Sequence, residues 1–272
     1  MEKIMKTFLK WAGNKSQIKD IVKKYIDCEN RFIEPFAGSC AISLNVDAKS
    51  YVISDVNNDL ITLYKTLIAD NGFIEYSKSF FITENNTQEK FYELREAFNS
   101  TKDQRLKSAL FIYLNRHGFN GLCRYNSKGS FNVPFGRYKT PYFPENEMID
   151  FKNKLKKAKF LCQDFRKTMV SAKKGDVVYC DPPYIPLSKT SNFTSYAQNG
   201  FNEQDQIDLM NMAQNLREKG VRVIISNHNN EFSQNLYSGA NLIEEFEVQR
   251  YISCIGEKRS RAGEVLAVYH AR

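Results

Sequence analysis

The chain has 272 residues, of which 42% are hydrophobic and 26% are charged, and this composition predicts a globular protein with one large domain or a main domain carrying an insertion. The sequence has no apolar run of membrane-spanning length and no apolar signal-peptide core, so it predicts a cytoplasmic protein without a membrane partner. Six scattered cysteines and only three histidines favour free thiols and argue against a disulfide framework or a metal site. The net charge of +8 points to a polyanionic partner.

The N-terminal segment, residues 7–26, begins with a short apolar strand or loop that breaks at Gly13. Ser16 is a plausible N-cap for the helix that should follow. The apolar residues of that helix recur at helical spacing and would form one buried face. They are Ile18, Ile21, Val22, Tyr25 and Ile26.

A β-turn-α-β unit is predicted next. Its strands run over residues 31–36 and 51–54, and a helix should begin near Cys40. Glu34 and Asp55 lie about 20 residues apart, which is how Rossmann-like sites bring a carboxylate to a ribose. Only Gly38 stands in the intervening loop, and a dinucleotide pyrophosphate needs close backbone approach at several glycines. The unit therefore predicts a nucleoside ligand without a pyrophosphate.

Residues 57–144 lack strand-helix alternation and are predicted to be an insertion. A strongly amphipathic helix with one apolar face is expected from Leu106 to His117, which makes His117 a packing residue at the helix end. A hairpin should follow, with arms over residues 119–125 and 130–135. Arginine and apolar residues interleave in it, and a two-stranded ribbon of this kind can enter the major groove of DNA.

The insertion also has an unusual charge pattern. No Asp or Glu occurs from Gln104 to Pro144, although 31 of the 272 residues are acidic. Seven basic residues lie in the same window: Arg105, Lys107, Arg116, Arg124, Lys128, Arg137 and Lys139. Such a segment suits a surface that lies against phosphates.

Strand-helix alternation resumes at Phe160. Strands are predicted over residues 160–162, 221–226, 241–251 and 264–269, with a helix over residues 203–219. The polar and aromatic residues from Thr190 to Gly200 should form a flap over the substrate, and Lys258 to Arg261 a small basic loop near DNA. His228, at a strand end, is interpreted as structural.

The stretch from Asp176 to Tyr184 carries the predicted chemistry. Residues 177–180 are apolar β-formers that fit a strand covered on both faces, and Asp181 follows at its carboxyl end, where open α/β sheets bind ligands. Pro182 and Pro183 fix two φ angles and remove two N–H donors. The loop therefore offers a carboxylate and a carbonyl as fixed acceptors beside the ring of Tyr184. This arrangement suits a planar group bearing an NH2.

The Asp-Pro-Pro-Tyr sequence at residues 181–184 resembles the catalytic motif of amino-group DNA methyltransferases, which transfer a methyl group from S-adenosylmethionine (AdoMet) to an exocyclic base nitrogen. Three other segments resemble the GATC-specific, Dam-type (D12 class) adenine-N6 methyltransferases. They are Phe-Leu-Lys-Trp-Ala-Gly-Asn-Lys at residues 8–15, Phe-Ile-Glu-Pro-Phe-Ala-Gly-Ser at residues 32–39, and residues 114–138 of the hairpin region. Val-Ile-Ser-Asp-Val-Asn at residues 52–57 matches the family's ribose-binding acid.

The resemblance implies an α/β fold, with a Rossmann-like AdoMet-dependent methyltransferase sheet and an inserted, mainly helical DNA-recognition domain that carries a β-hairpin. The catalytic, AdoMet-binding domain would comprise residues 1–56 and 145–272, and the recognition domain residues 57–144. We expect a monomer in solution that acts on double-stranded DNA and uses no metal. The implied catalytic residues are Asp181, Pro182 and Tyr184, and the implied AdoMet-binding residues are Trp11, Lys15, Glu34, Phe36, Gly38, Asp55, Asp164, Phe165 and Asp181.

The same resemblance assigns residues to DNA. Arg124 would contact a guanine, Leu122 and Pro134 a thymine, and Lys10 the first guanine of the site. Phe119 and Asn120 would act near the space left by an extruded adenine, and many relatives have tyrosine where this chain has Phe119. The remaining basic residues are interpreted as phosphate contacts or solvated charges: Arg116, Lys128, Arg137 and Lys139.

Other functions stay open at this point. The same chemistry could methylate cytosine N4 or a glutamine amide in a protein, although the acid-free hairpin argues against a protein substrate. Methylation of cytosine C5 would need a cysteine nucleophile after a proline, and the chain has no Pro-Cys pair. A non-catalytic DNA-binding protein on the same scaffold is a further alternative.

Overall fold

A seven-stranded mixed sheet organises the chain in the computed structural model, which describes residues 4–13, 15–184, 200–249 and 261–271. The strand order across the sheet is β3-β2-β1-β4-β5-β7-β6. The strands are β1 (Arg31–Glu34), β2 (Ser50–Asp55), β3 (Lys159–Cys162), β4 (Val177–Cys180), β5 (Arg222–His228), β6 (Leu242–Gln249) and β7 (Arg261–Tyr269). The predicted strands are confirmed, with differences of a few residues at their ends.

The first five strands are parallel, and β7 runs antiparallel between β5 and β6. From β1 the chain winds outward to β2 and β3, and then returns to place β4 on the other side of β1. The strand order thus reverses between β1 and β4, and an open sheet leaves a crevice outside the strand ends at such a point. The fold is α/β and Rossmann-like.

Apolar residues cover both faces of this sheet, and the alternation of side chains along each strand explains why. Phe32 and Tyr179 belong to one buried cluster, whereas the adjacent Ile33 and Val178 belong to a second cluster on the opposite face. All four residues of β4 are buried. A parallel strand buried on both faces is expected to be continuously apolar, as residues 177–180 are.

Nine helices lie in the described part of the chain. They are α1 (Lys19–Lys23), α2 (Asn58–Ala69), α3 (Phe73–Lys78), α4 (Gln88–Ser100), α5 (Gln104–His117), α6 (Glu145–Leu155), α7 (Phe165–Val170), α8 (Glu203–Glu218) and α9 (Glu231–Leu236). The predicted helices ending at His117 and beginning at Glu203 are confirmed. Among these nine helices none is long and apolar enough to cross a membrane.

Helices α2 to α5 lie within residues 57–144, so this region is mainly helical as predicted, and α6 follows it before β3. An inserted DNA-recognition domain stays a prediction. These helices share a core with the sheet. The Tyr64 ring of α2 lies 5.6 Å from Phe160 of β3 and 4.8 Å from Phe151 of α6. The division of the chain at residues 57 and 144 stays a prediction, because this single apolar cluster crosses both positions.

Two predicted helix starts are wrong. Ser16 lies inside a 3-10 turn over Lys15–Gln17, and α1 begins only at Lys19 with no side-chain cap. Near Cys40 the chain forms a short 3-10 helix, Ser43–Asn45, instead of an α-helix. Cys40 itself has a φ of 59°, a left-handed conformation that cannot continue a right-handed helix.

The predicted hairpin is irregular. Its arms meet at two isolated bridges, Gly118 with Phe135 and Tyr125 with Phe131, and residues 119–121 form a 3-10 turn in which Asn120 has a φ of 54°. Side chains of α4 take over part of the missing ladder. Asn99 exchanges two hydrogen bonds with the backbone of Phe131, 2.8 and 3.1 Å long.

The predicted flap lies outside the described residues, apart from Gly200 at its end. The predicted basic loop also lies outside them, apart from the backbone of Arg261. Cys254 falls in the same undescribed part, and the five described cysteines are free thiols. The prediction of free thiols is confirmed for those five.

Candidate active site

Asp181 lies directly after β4, at the point where the strand order reverses. The pairing of Cys180 with Ile225 in the neighbouring β5 brings the next residues of the two strands side by side. Asp181 Oδ1 accepts a hydrogen bond from Ser226 Oγ at 2.9 Å and lies 3.1 Å from Lys15 Nζ. The Asp181 side chain is 20% exposed, so this carboxylate can still be reached from outside.

Lys15 connects three of the groups at this site. Its ammonium lies 3.8 Å from Glu264 Oε2 and 4.7 Å from the centre of the Tyr184 ring. The Tyr184 hydroxyl donates a hydrogen bond of 3.4 Å to the same Glu264 oxygen, and its ring meets His228 edge-on at 4.2 Å. Burial, together with the charges of Asp181 and Glu264, raises the pKa of Tyr184 well above its ordinary value. Tyr184 is therefore a neutral phenol at any physiological pH.

Glu264 and Ser226 are site residues that the sequence analysis missed. Glu264 stands opposite His228 in the antiparallel pairing of β5 and β7, and it is buried. An acid inside an otherwise apolar strand, Glu-Val-Leu-Ala-Val-Tyr at residues 264–269, was the available signal, because buried carboxylates need partners. Ser226 offered no such signal. His228 packs against Tyr184, in keeping with a structural role.

The turn after β1 is held closed by Asp55 of β2. The Asp55 carboxylate accepts the Gly38 N–H at 3.1 Å and the Asn57 N–H at 2.9 Å. Gly38 has a φ of 43°, and a Cβ built there would lie 2.8 Å from Trp11 Nε1. Only glycine fits this position without a shift of the tryptophan. Trp11, Gly38 and Asp55, predicted from three separate segments, thus lie together.

Glu34 is buried, at 3% exposure, beneath this turn. Its carboxyl accepts hydrogen bonds from the Ser43 N–H and hydroxyl. Burial raises the pKa of Glu34 to about 8 despite those bonds, and the nearby charges of Asp181 and Asp55 contribute to the increase. Glu34 is therefore largely protonated at pH 7, and its local bonds hold the turn. A contact between Glu34 and a cofactor stays a prediction.

Three aromatic rings line the edge of the crevice beside α7. Phe36 stacks on Phe165 with ring centres 5.2 Å apart, and Phe201 meets Phe36 edge-on at 5.6 Å. Phe165 is almost fully buried, whereas Phe36 is partly exposed. Asp164 caps α7 through the Arg166 N–H and is also paired with the Arg166 guanidinium at 3.2 Å. Phe201 was not predicted.

The predicted DNA-contacting residues form a second group around residues 118–138. Lys10 lies against Gly121, where an added Cβ would meet its side chain at 2.4 Å, and its ammonium sits 4.3 Å above the Tyr138 ring. The Tyr138 hydroxyl in turn accepts the Asn120 N–H at 3.0 Å. Burial, and next the charge of Arg116, lowers the pKa of Lys10. The N-terminal segment and the hairpin are thus packed together.

Most of this second group is open to the outside. Phe119 is 48% exposed, Arg124, Pro134 and Arg137 are exposed, and Leu122 is half-buried. The Arg124 guanidinium donates to Asn132 Oδ1 at 2.7 Å and to the Asn132 carbonyl at 3.1 Å. Phe119 and Arg124 therefore project from the hairpin, and each is anchored to it by a hydrogen bond. The Phe119 N–H donates to the Pro134 carbonyl, and the Arg124 guanidinium donates to Asn132.

The interpretation of Arg116 as a phosphate contact or solvated charge is wrong. Its side chain is 8% exposed, and its guanidinium donates to the Phe8 carbonyl. Two further members of the basic set are paired within the chain, since Arg105 lies 2.7 Å from Asp70 and Lys107 lies 3.3 Å from Asp59. Burial removes Arg116 from any surface available to phosphate, whereas Arg105 and Lys107 would have to leave their carboxylates to bind one. The exposed members are Arg105, Arg124, Lys128, Arg137 and Lys139, and of these Arg105 carries the ion pair with Asp70.

The arrangement supplies groups for a transfer to nitrogen. The Asp181 carboxylate stands at a strand end and can be reached from outside, and the neutral Tyr184 ring lies beside it. The carboxyl groups of Glu34 and Asp55 border the turn at Gly38, which suits a nucleoside. Among the described residues no three His, Cys, Asp or Glu side chains are grouped closely enough to hold a metal ion.

Comparison with known proteins identifies the family. Residues 11–250 match the model of the D12 class N6 adenine-specific DNA methyltransferases. A DNA adenine methylase of Vibrio cholerae serotype O1 is 43% identical over 269 residues, which cover 98% of this chain and 97% of that protein. DNA adenine methylases of Escherichia coli K12 and Serratia marcescens are 42% and 44% identical, and each alignment covers 97% of this chain and at least 95% of the relative. The chain therefore belongs to the D12 class of N6 adenine-specific DNA methyltransferases.

Proposed function

We propose that this adenine-specific DNA methyltransferase transfers the methyl group of AdoMet to N6 of an adenine that has been rotated out of double-stranded DNA at GATC sites. The observation that carries the proposal is the Asp181 carboxylate, held by Lys15 and Ser226 at the strand end where the sheet order reverses. It is joined there by a loop of two prolines and by Tyr184.

The loop addresses the chemical difficulty of the reaction, which is the delocalisation of the N6 lone pair into the adenine ring. If Asp181 and the Pro182 carbonyl each accept one N6 hydrogen, the nitrogen can pyramidalise and direct its lone pair outward. Positive charge would develop on N6 as its bond to the methyl carbon forms and the carbon–sulfur bond breaks, so both contacts strengthen in the transition state. The thioether would leave with the electron pair of the broken bond, and the methylated nitrogen would then release one proton to water. Ser226 and Lys15 both engage Asp181 Oδ1, and Oδ2 is the oxygen that we assign to the base.

The residues around Gly38 fit AdoMet. Asp55 already binds two backbone N–H groups, and its remaining lone pairs suit ribose hydroxyls. The exposed part of the Phe36 ring suits an adenine face, and the single glycine of the turn provides no pyrophosphate cradle. When bound, AdoMet supplies a methyl group already activated by its sulfonium. Asp164 and Phe165 remain part of this proposed site.

Asp181 and Lys15 would orient the acceptor base and the donor together. The Asp181 carboxylate offsets positive charge on both the sulfonium and the reacting N6. Because Lys15 also lies between Asp181 and Glu264, it can shift towards Glu264 when the amino group approaches Asp181. Alignment of the AdoMet sulfur, the methyl carbon and adenine N6 would supply much of the remaining acceleration.

The hairpin residues support duplex DNA as the substrate. A base inside a duplex cannot reach the Asp181 loop, so it must be rotated out, with Tyr184 available to stack on it. The exposed Phe119 ring would fill the space that the base leaves. Arg124 suits the O6 and N7 acceptors of guanine. Leu122 and Pro134 offer apolar contacts to a thymine methyl, and Lys10 packs against Gly121, the residue before Leu122.

The test is a methylation assay on matched duplexes. Native protein with AdoMet should convert the adenine of a GATC duplex to N6-methyladenine, and a duplex with a permuted site should stay unmodified. Nucleoside analysis by mass spectrometry identifies the methylated base, so N4-methylcytosine as the product would overturn the proposal. Unmodified GATC at high enzyme concentration would overturn it as well.

The role of Asp181 has its own test. Asp181→Ala should reduce transfer by at least about 100-fold, since the lost acceptor acts on charge that develops in the transition state. DNA affinity should stay within about twofold of the native value, because the loop contacts only the rotated base. Equal losses of affinity and turnover would show that Asp181 supports DNA binding instead.

A further inference from the structure

The loop at residues 181–184 contains two prolines, which limit how it can be held in place. Pro182 and Pro183 have no N–H groups, so the loop cannot be held by backbone donation at these two positions. It must instead be held through its carbonyls and side chains. One such contact comes from a distant helix: Gln206 Nε2 of α8 donates a 3.0 Å hydrogen bond to the Pro183 carbonyl.

Gln206 is fully buried and belongs to a closed polar network. Its Oε1 accepts hydrogen bonds from Asn227 Nδ2 at 3.1 Å and from the Tyr237 hydroxyl at 3.2 Å. Asn227 is the last residue but one of β5, and Tyr237 directly follows α9. Three elements separated in the sequence therefore converge on one amide beneath the loop.

The donor and acceptor roles in this network follow from one backbone group. The His228 N–H can only donate, and it binds Asn227 Oδ1 at 2.8 Å. The Asn227 NH2 must then face Gln206 Oε1 and the Tyr237 oxygen, 2.9 Å away. The Tyr237 proton is left for Gln206 Oε1, and the Gln206 NH2 must point at Pro183. Each hydrogen bond in this network therefore has one assigned donor and one assigned acceptor.

We propose that Gln206 is a positioning residue for methyl transfer, which holds the Pro183–Tyr184 peptide so that the acceptor loop and the Tyr184 ring meet the amino group of the base in register. The inference rests on the proposed function of the Asp181 loop. The carbonyl that Gln206 binds belongs to the peptide leading into Tyr184, so the bond limits rotation at Pro183. A shift of the loop by about 1 Å is enough to cost roughly 100-fold in rate.

The first variant is Gln206→Leu, which keeps the volume and removes the donor. We expect kcat to fall about 10- to 100-fold through misalignment, with the KM for duplex and the Kd for AdoMet within about threefold of native, because the substrate-binding residues are untouched. A GATC duplex carrying 2-aminopurine at the target adenine should still brighten on binding, since rotation of the base precedes its alignment.

The matched control is Tyr237→Phe. It removes two hydrogen bonds from the same buried network, those of the Tyr237 hydroxyl with Gln206 and Asn227. The Gln206–Pro183 contact and the Asn227–Gln206 contact stay in place. We expect a lower unfolding temperature for both variants and a near-native kcat for Tyr237→Phe alone. If the two variants lose kcat equally, or if Gln206→Leu retains kcat within twofold, the proposal is overturned.

Gln206→Glu adds a pH signature that a purely structural role would not produce. The introduced carboxyl can donate to the Pro183 carbonyl only when protonated, so kcat relative to native should recover as pH falls through the pKa of the new group. A flat ratio between pH 5.5 and about 8 would contradict the inference. Native protein that fails to methylate DNA would refute the proposed function itself, whereas active native protein with active Gln206→Leu refutes only the role of Gln206.

Discussion

Lys15 shows what a single residue acquires from its surroundings. The sequence resemblance assigned it to cofactor binding, and the structure adds contacts to Asp181, Glu264 and the Tyr184 ring. Its ammonium thus lies between two carboxylates and an aromatic face, beside the carboxylate that we propose binds the base. The position of Trp11 likewise depends on Gly38, because the tryptophan occupies the space that a Cβ at residue 38 would need.

Glu34 leads to a prediction at this scale. Its pKa in the folded chain is about 8, above the ordinary value of 4.5, chiefly through burial. Between these pH values the folded protein holds a proton that the unfolded chain has released. The contribution of this group to stability is thus fully present below pH 4.5 and is lost as the pH rises through about 8. The loss is at most roughly 1.4 kcal/mol per pH unit.

The matching variant is Glu34→Gln, which does not titrate and can still accept the Ser43 hydrogen bonds. Its free energy of unfolding, minus that of the native protein, should increase steadily from pH 5 to about pH 8 and then level off. Urea unfolding at several pH values measures this difference. A difference independent of pH would mean that Glu34 is ionised in the folded state.

The hairpin is the element where local pattern and final structure differ most. Alternating residues predicted two regular arms, but the structure has two bridges, a 3-10 turn and a left-handed Asn120. Pro134 cannot donate to a ladder, and the Asn99 side chain binds the Phe131 backbone where a strand would otherwise pair. The shape of the candidate DNA-contacting surface therefore depends on α4 as well as on the hairpin.

Asn99→Ala tests this support. Loss of two hydrogen bonds to the Phe131 backbone should lower the free energy of unfolding by roughly 1 to 3 kcal/mol. It should also weaken binding of a GATC duplex relative to a permuted duplex by about fivefold, the equivalent of about 1 kcal/mol. AdoMet affinity should not change.

Ser100→Ala is the control for this helix, because among the described residues the Ser100 hydroxyl bonds only carbonyls of its own helix. It should leave the ratio of the two duplex affinities unchanged. The support role of α4 would be refuted if Asn99→Ala lowered stability but preserved that ratio, as measured by fluorescence anisotropy with both duplexes.

At the scale of the whole molecule, the structure divides the acid-free basic segment into two groups. Arg105, Lys107 and Arg116 face partners within the chain, although Arg105 is also exposed. The second group is Arg124, Lys128, Arg137 and Lys139, which are all exposed. Each cation that neutralises a DNA phosphate changes the slope of log binding constant against log salt by about 0.9. The second group should contribute most of this slope, because Arg105 would first have to leave Asp70.

The double variant Lys128→Ala/Lys139→Ala should therefore reduce the magnitude of the salt slope by up to about 2, whereas Arg105→Ala should leave it unchanged. Duplex affinities measured over a range of salt concentrations provide both slopes. A reduced slope in Arg105→Ala would show that its pairing with Asp70 is broken when DNA binds.

The sequence by itself determined where the strands occur along the chain and that β4 is buried. It also determined the loop after β4 and the acids at the ends of β1 and β2. These features are local, because side-chain periodicity, proline geometry and strand-end position all act within a few residues. The sequence could not identify Ser226, Glu264 or Gln206 as neighbours of the Asp181 loop. Their positions depend on the register between β4, β5 and β7 and on the docking of α8.

Burial was the other property that only the tertiary structure decided. Arg116 has the same charge and the same basic neighbourhood in the sequence as Arg137, yet one is enclosed against the Phe8 carbonyl and the other is exposed. The local pattern names the groups that can react or bind. Packing of distant segments decides which of them stay accessible, because solvent exposure is a property of the assembled surface.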